Sequence, residues 1–382
     1  FDFLGESVKI FLKSGVSCLR DERLCHLIFL FFSPILLFAQ PPYFNLENKI
    51  NGMSFRAPRI PPLVDNKINE IKNSNANWVA IVPEATLERT TLKLRPDDKN
   101  DWWGETIDAN IEVIKSAKNA GFKIMLKPQI VLSKLSPNTR KINFSFKKKN
   151  SNKLNIDKTR GVEWRGDFEA KNESDWKIWE ASYEAYILNL ARVADSLNVE
   201  LFCIGNEMRQ SAVKRPDFWR QLIKKTRAIY DGPLTYSANW DEYDKITFWN
   251  ELDFIGLDTY FPINSSAIPS VKKTVKNWKP ILRRLKKFSK KNKRQIIITE
   301  FGYRNIEYAG RRPWLHDFGK DEMNNDAQFN LYEAFFQAFW HQKWVAGGFL
   351  WQWFHTLKND INTTYSPQGK PALEVVRKWY GQ

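Results

Sequence analysis

The sequence predicts an α/β chain folded as a single (β/α)8 TIM barrel with a long insertion after the third strand. Three observations carry that expectation. Eight short apolar runs recur with helix-patterned stretches between them, the signature of repeated β/α units. The runs are continuously apolar rather than alternating, as in parallel strands covered on both faces. No Gly-x-Gly-x-x-Gly turn follows the first run, so an open doubly wound sheet with a dinucleotide site lacks its main sequence mark.

The first strand is expected at 52–56 and the second at 78–82, after an amphipathic stretch over 64–72. The third, 122–127, is entered from a helix over 106–120 that Gly121 ends at C′. After Gln129 the pattern dissolves into Ser, Asn and Lys as far as Arg160. That is too long for a simple connection and reads as an insertion on the rim. A helix over 175–197, with Trp176, Trp179, Tyr183, Ile187, Leu190, Val193 and Leu197 on one face, delivers the chain to strand four at 201–205. Pro216 starts a helix over 217–230 that Gly232 ends, and strand five follows at 234–238. Strands six and seven fall at 254–259 and 295–299, on either side of a basic amphipathic helix over 272–294. There Pro280 either kinks the helix or marks its first turn. A helix over 325–342, strand eight at 347–353 and a last helix over 371–380 close the set.

A chain of 382 residues with 14% aromatics and 16 Trp is not a disordered one. Some Trp must be core, and sugar-binding clefts also use exposed aromatic faces. The net charge of +16 owes nothing to residues 1–39, where Lys9, Lys13, Arg20 and Arg23 cancel Asp2, Glu6, Asp21 and Glu22. Much of it lies at 147–149 and in the basic helix. A nucleic-acid surface is one reading of that charge. A solvated helix face on a lysine-rich protein is the favoured one, so no nucleic-acid partner is expected. Of Cys18, Cys25 and Cys203 only the last falls in the expected folded part, so a disulfide framework and a metal site are both unsupported. Cys203 reads as a small core residue.

Residues 24–39 are apolar apart from His26 and Ser33, are broken by Pro34, and follow Arg20 and Arg23. This is the pattern of a secretory signal, too short for a stable membrane span. The expected organisation is an upstream segment plus signal peptide over 1–39 and a catalytic barrel over 40–382, secreted or periplasmic. No Met precedes Met53, so 1–20 reads as lying upstream of the true start.

Two of the apolar runs end in a carboxylate: Leu201-Phe-Cys-Ile-Gly-Asn-Glu207 and Gln295-Ile-Ile-Ile-Thr-Glu300. In a closed α/β barrel the catalytic groups sit at the C-terminal rim. One glutamate at a strand end would be an ordinary surface charge; two, after strands four and seven of one barrel, point to a shared pocket. By alternation, an inward Glu207 implies inward Gly205 and Cys203, and an inward Glu300 implies inward Ile298 and Ile296. Paired carboxyl groups suit glycosidic bond cleavage, in which one is held protonated, its pKa raised from about 4.3 toward 6, and the other stays ionised. A retaining enzyme holds the pair about 5 Å apart, an inverting one roughly 6.5 to 9.5 Å.

The motifs Gly52-Met-Ser-Phe55, Leu126-Lys-Pro128, Glu163-Trp-Arg-Gly166, Phe202-Cys-Ile-Gly-Asn-Glu207, Thr299-Glu-Phe-Gly-Tyr303 and Phe349-Leu-Trp-Gln-Trp353 together resemble glycoside hydrolase family 113, the β-mannanases of clan A. The likeness covers about 51–380. It implies a retaining β-1,4-mannanase with Glu207 as acid/base and Glu300 as nucleophile, acting on a polysaccharide or oligosaccharide with no metal or organic cofactor. It further implies that Asn206 binds the sugar 2-hydroxyl in subsite −1 and that Tyr260, ending Gly256-Leu-Asp-Thr-Tyr260, hydrogen-bonds the nucleophile. Trp351 or Trp353, of equal parity, forms the stacking floor. Trp103 and Arg165 line the cleft, with Gln129 and Asn239 as further polar contacts; Gln129 stands where the family pattern has His. Alternatives of the same chemistry are a xylanase, a glucanase or an exo-β-mannosidase, since specificity lies in rim loops. A barrel that binds sugar without cleaving it is the alternative of another class, disfavoured by the intact Glu pair. A monomer is expected.

Overall fold

The computed structural model describes residues 48–57, 64–95, 103–133, 164–315, 322–355 and 363–382. Its centre is a closed barrel of parallel strands. In chain order the elements begin with β1 (Ile50–Phe55), α1 (Val64–Lys72), β2 (Trp78–Ile81), β3 (Glu84–Leu87), β4 (Leu94–Arg95), α2 (Ile107–Asn119), β5 (Lys123–Leu126) and β6 (Gln129–Leu132). The middle of the chain supplies α3 (Glu173–Ser196), β7 (Leu201–Asn206), α4 (Arg209–Lys214), α5 (Pro216–Arg227), β8 (Leu234–Asn239) and β9 (Ile255–Asp258). The last elements are α6 (Val271–Asn292), β10 (Ile296–Phe301), α7 (Asn325–Phe339), β11 (Val345–Trp353) and α8 (Ala372–Tyr380). Round the barrel the order is β1, β11, β10, β9, β8, β7, β5, β2. The eight-stranded expectation therefore holds, each strand within two residues of its predicted place.

Local signals set the helix ends. Thr106 caps α2 by accepting from the Ala109 N–H at 3.2 Å, and Asn172 and Asn324 cap α3 and α7 in the same way at 2.9 Å. Gly121 follows α2 at φ +89°, the conformation that makes glycine the usual helix stop. Pro280 lies inside α6 rather than in its first turn. It sits on the exposed side, where a carbonyl deprived of its N–H can be hydrated, while Trp278 and Leu285 bury the other face.

Two apolar layers result. Residues such as Met53, Val79, Phe202, Ile204 and Ile296 face the helices in one large core, whereas Ile50, Trp78, Ala80, Met125, Leu201, Ile297 and Phe349 form a second cluster that fills the barrel.

One feature was not anticipated. A three-stranded sheet, β4-β3-β6, extends two of the barrel connections, with Gln129–Leu132 pairing parallel to Glu84–Leu87. The start of the expected insertion is thus a strand, held by Ile130 and Leu132 in the core; residues 134–163 lie outside those described. The signal-like segment, Cys18 and Cys25 also lie outside them. The described residues all fall in one compact unit, Pro41–Gln382. Among them no helix is long and apolar enough to cross a membrane.

Candidate active site

Both glutamates reach the rim through a break in strand alternation. In β7, Leu201 belongs to the barrel interior and Phe202 and Ile204 to the outer core, but pairing with β8 shifts register between Cys203 and Asn206. Beyond the shift Gly205 faces outward: a Cβ there would lie 2.6 Å from the Trp219 ring and 2.9 Å from the Tyr183 hydroxyl. Glu207 follows with φ +53°, a strained backbone for a non-glycine residue and one that clusters at functional sites. The neighbouring strand β8 pins it, since its N–H donates to the Ser237 carbonyl at 2.8 Å and the next N–H, of Met208, donates to the Tyr236 hydroxyl at 2.8 Å.

In β10, Ile296 and Ile298 face the helices and Ile297 the interior; a shift against β9 falls between Ile298 and Glu300. Strict alternation therefore misassigns Gly205, Ile296 and Ile298. A bulge places two successive residues on one side, and that is how Thr299 and Glu300 both come to face inward.

Glu300, 5% exposed, is surrounded by donors. Lys127 forms an ion pair with its Oε1, Gln129 donates to the same oxygen at 3.0 Å, and the Tyr260 hydroxyl donates to Oε2 at 2.9 Å. Lys127 is wholly buried. Burial alone would lower its pKa, but its partners, the Glu300 carboxylate foremost, raise it above the ordinary value, so it stays an ammonium. Burial, and then Glu300, push the Tyr260 hydroxyl well above its ordinary range, which keeps it a donor.

Glu207 has a different setting. Trp164 donates its indole N–H to Oε2 at 3.1 Å and the Arg165 guanidinium lies 3.7 Å from the same oxygen. Burial raises its carboxyl above the usual range and the charge of Glu300 adds to that, while Arg165 and Trp164 work against them. Arg165 also donates to the Gln129 side-chain oxygen Oε1 at 2.9 Å, so one side-chain amide links the surroundings of both glutamates. Arg209 lies over the Trp164 ring at 4.8 Å and pairs with Asp167 and Asp241.

The remaining sequence candidates divide. Asn206 is 2% exposed, and neither its amide nitrogen nor its oxygen has a hydrogen-bond partner among the described residues. Trp351 packs with Val82, Tyr260 and Tyr365, and Lys127 Nζ lies 5.6 Å from the centre of its ring. Trp353 joins the outer core instead, so equal parity does not bring both tryptophans to the site. Trp103 packs on that same outer core, in the turn that leads into α2. Asn239 ends β8 half-buried, its side-chain oxygen accepting from the Trp240 N–H at 2.9 Å. The Gln129 amide is occupied at both ends by protein.

Sequence reading missed Lys127, Asp258 and Trp164. The first two carry the signal that selected the glutamates, an ionisable residue closing an apolar strand. It also passed over Trp240 and Trp314, half-buried, stacked at 5.4 Å and packed against the Trp351 cluster.

Comparison with known proteins gives the family and the fold. The model described as Glycoside Hydrolase Family 113 matches residues 62–370. A complex structure of a GH113 β-1,4-mannanase is similar at 22% identity and TM-score 0.71, over 88% of this chain and 99% of that one. The GH113 β-mannanase AaManA of Alicyclobacillus acidocaldarius matches at 22% identity and TM-score 0.70, over 87% and 97%. A Faecalibacterium prausnitzii β-glucuronidase matches at 14% identity and TM-score 0.56, over 87% of this chain and 49% of that one. Likeness at these identities shows the fold. No curated protein sequence matches the chain.

Proposed function

This chain belongs to glycoside hydrolase family 113 and is a glycoside hydrolase, and from that premise we propose that it cleaves β-1,4-mannosidic bonds in mannan or glucomannan by double displacement. The observation that carries the proposal is the contrast between the two glutamates. One faces an ammonium and two neutral donors; the other is buried with its pKa raised.

Glu207 gives its proton to the glycosidic oxygen as the bond to the anomeric carbon breaks, and a Glu300 oxygen forms a new bond to that carbon. The resulting ester is neutral, so the charge that had helped to raise Glu207 is gone. Glu207, having given up its proton, then stays ionised and takes a proton from water, whose oxygen attacks the anomeric carbon and releases Glu300 as a carboxylate. Asn206, with both ends of its amide unpaired, binds a sugar hydroxyl, since burial leaves it no other compensation. Trp351 forms the stacking floor, Tyr260 and Gln129 hold Glu300, and Arg165 spans the pair. The apolar segment before Gln40 supports export to the periplasm or medium.

Product analysis on mannan, glucomannan, xylan and cellulose tests this, with Glu300→Ala as control and NMR of the first-formed anomer. β-Configured manno-oligosaccharides that vanish in the control are expected. Products from xylan or cellulose alone would overturn the mannan assignment, and α-configured products would overturn double displacement.

A further inference from the structure

Level with Glu300 on the neighbouring strand stands another carboxyl-bearing residue, Asp258, the last residue of β9, fully buried. Its Oδ1 is 2.7 Å from Thr299 Oγ1, its Oδ2 is 2.9 Å from Ser237 Oγ, and the two hydroxyl oxygens are 2.8 Å apart; Ser237 Oγ is also 2.8 Å from Oδ1. The three side chains, from β8, β9 and β10, close a triangle with every edge at hydrogen-bond length. Each edge needs one proton.

The hydroxyls of Ser237 and Thr299 supply one proton each, and no other hydrogen-bond partner among the described residues reaches the three groups. If both donate to an ionised Asp258, their own oxygens face each other at 2.8 Å with nothing between them. If Ser237 donates to Thr299 and Thr299 to Oδ1, the Oδ2–Ser237 edge is complete only with a proton on Oδ2. The second arrangement satisfies all three edges in one direction round the ring.

We propose that Asp258 is a protonated, neutral carboxylic acid in the working enzyme, donating from Oδ2 to Ser237 and leaving the charge of Lys127 to Glu300. Asp258 is thus a positioning residue: it ties three strands together beside Glu300 and adds no second anion there. The charged and titratable groups facing it are consistent with that state. Burial, and then the charge of Glu300, push Asp258 well above the usual carboxylate range; Lys127 opposes and Glu207 adds to the rise. The Cys203 thiol, on β7, is pushed up to about 12 by burial and stays neutral, while Tyr260, pushed up as well, keeps its proton. With Asp258 neutral, Lys127 and Glu300 pair with each other; an ionised Asp258 would be a buried anion with no ion-pair partner among the described residues.

The triangle is independent of the substrate, and so is its test. Infrared spectra of the full-length enzyme at neutral pH are compared with and without 13C at the aspartate carboxyl carbons, which separates any aspartic acid from protonated Glu207. A label-sensitive band of a protonated carboxyl group, lost in Asp258→Asn, is expected. The Asn amide can donate to Ser237 and accept from Thr299, so the variant should keep the triangle's contacts and fold, and the loss of the band then reports the proton and not unfolding. Absence of the labelled band in the wild-type enzyme overturns the proposal, and needs no variant that folds. A labelled band that persists in the folded Asp258→Asn enzyme also overturns it, because the protonated aspartic acid would then be another residue.

Discussion

Lys127 and Glu300 form an ion pair almost entirely withdrawn from water, their side chains 0% and 7% exposed. Removing one partner of a buried pair strands the other, at a cost of about 3–5 kcal/mol. Lys127→Met should therefore lower the melting temperature and, by unseating Glu300, reduce kcat/KM by about 10²–10³. Adding Glu300→Gln to Lys127→Met should restore much of the stability and none of the turnover. A single variant that melts and turns over like the wild type would show that the pair does neither job.

The pH dependence follows from Glu207. Its folded pKa is raised, by burial above all, so the proton it donates is present at low pH and lost as pH rises through that value; this sets the alkaline limb of kcat/KM. Arg165 works to lower the same pKa. Arg165→Met should therefore move the alkaline limb to higher pH, even as the loss of its contact with Gln129 slows turnover. A limb that stays in place or moves to lower pH would contradict the assignment of Glu207 as the acid.

How far the site was legible depended on backbone regularity. Apolar runs and helix caps were enough to place eight strands, because burial on both faces leaves a plain mark in composition. Glu207 and Glu300 stood out as charges closing such runs. Their orientation was not legible, since bulges at Cys203/Asn206 and Ile298/Glu300 depend on pairing with neighbouring strands, which a single strand's pattern does not record. The short sheet at Gln129–Leu132 was hidden for a related reason: four residues beside a polar stretch offer too little periodicity to register. Lys127 was overlooked because a lysine reads as surface until the structure supplies its partner.

Glu207→Gln keeps the size of the side chain and removes the proton. Turnover of polysaccharide should fall by about 10²–10⁴, the usual worth of a positioned acid. Aryl mannosides with good leaving groups need little protonation, so their first step should be spared and the glycosyl-enzyme should accumulate as an initial burst of phenol. Equal losses on both substrates, with no burst, would remove the acid role.

At Gly205 the barrel wall lies close against side chains of α3 and α5 behind the catalytic rim. A methyl group there would meet the Trp219 ring at 2.6 Å and the Tyr183 hydroxyl at 2.9 Å, and both side chains are fixed in a buried aromatic cluster in which their rings lie 5.5 Å apart. Gly205→Ala must therefore push α3 and α5 outward or flatten the bulge that turns Asn206 and Glu207 toward the cleft. Overpacking of this kind costs about 1–3 kcal/mol, and any movement of the bulge is passed directly to Glu207. The expected result is a lower melting temperature together with a kcat loss that exceeds the change in KM. If Trp219→Phe in the same chain relieves both defects, the clash is their source; if the Gly205→Ala enzyme melts and turns over normally, the strand is free to move and its register does not fix the acid.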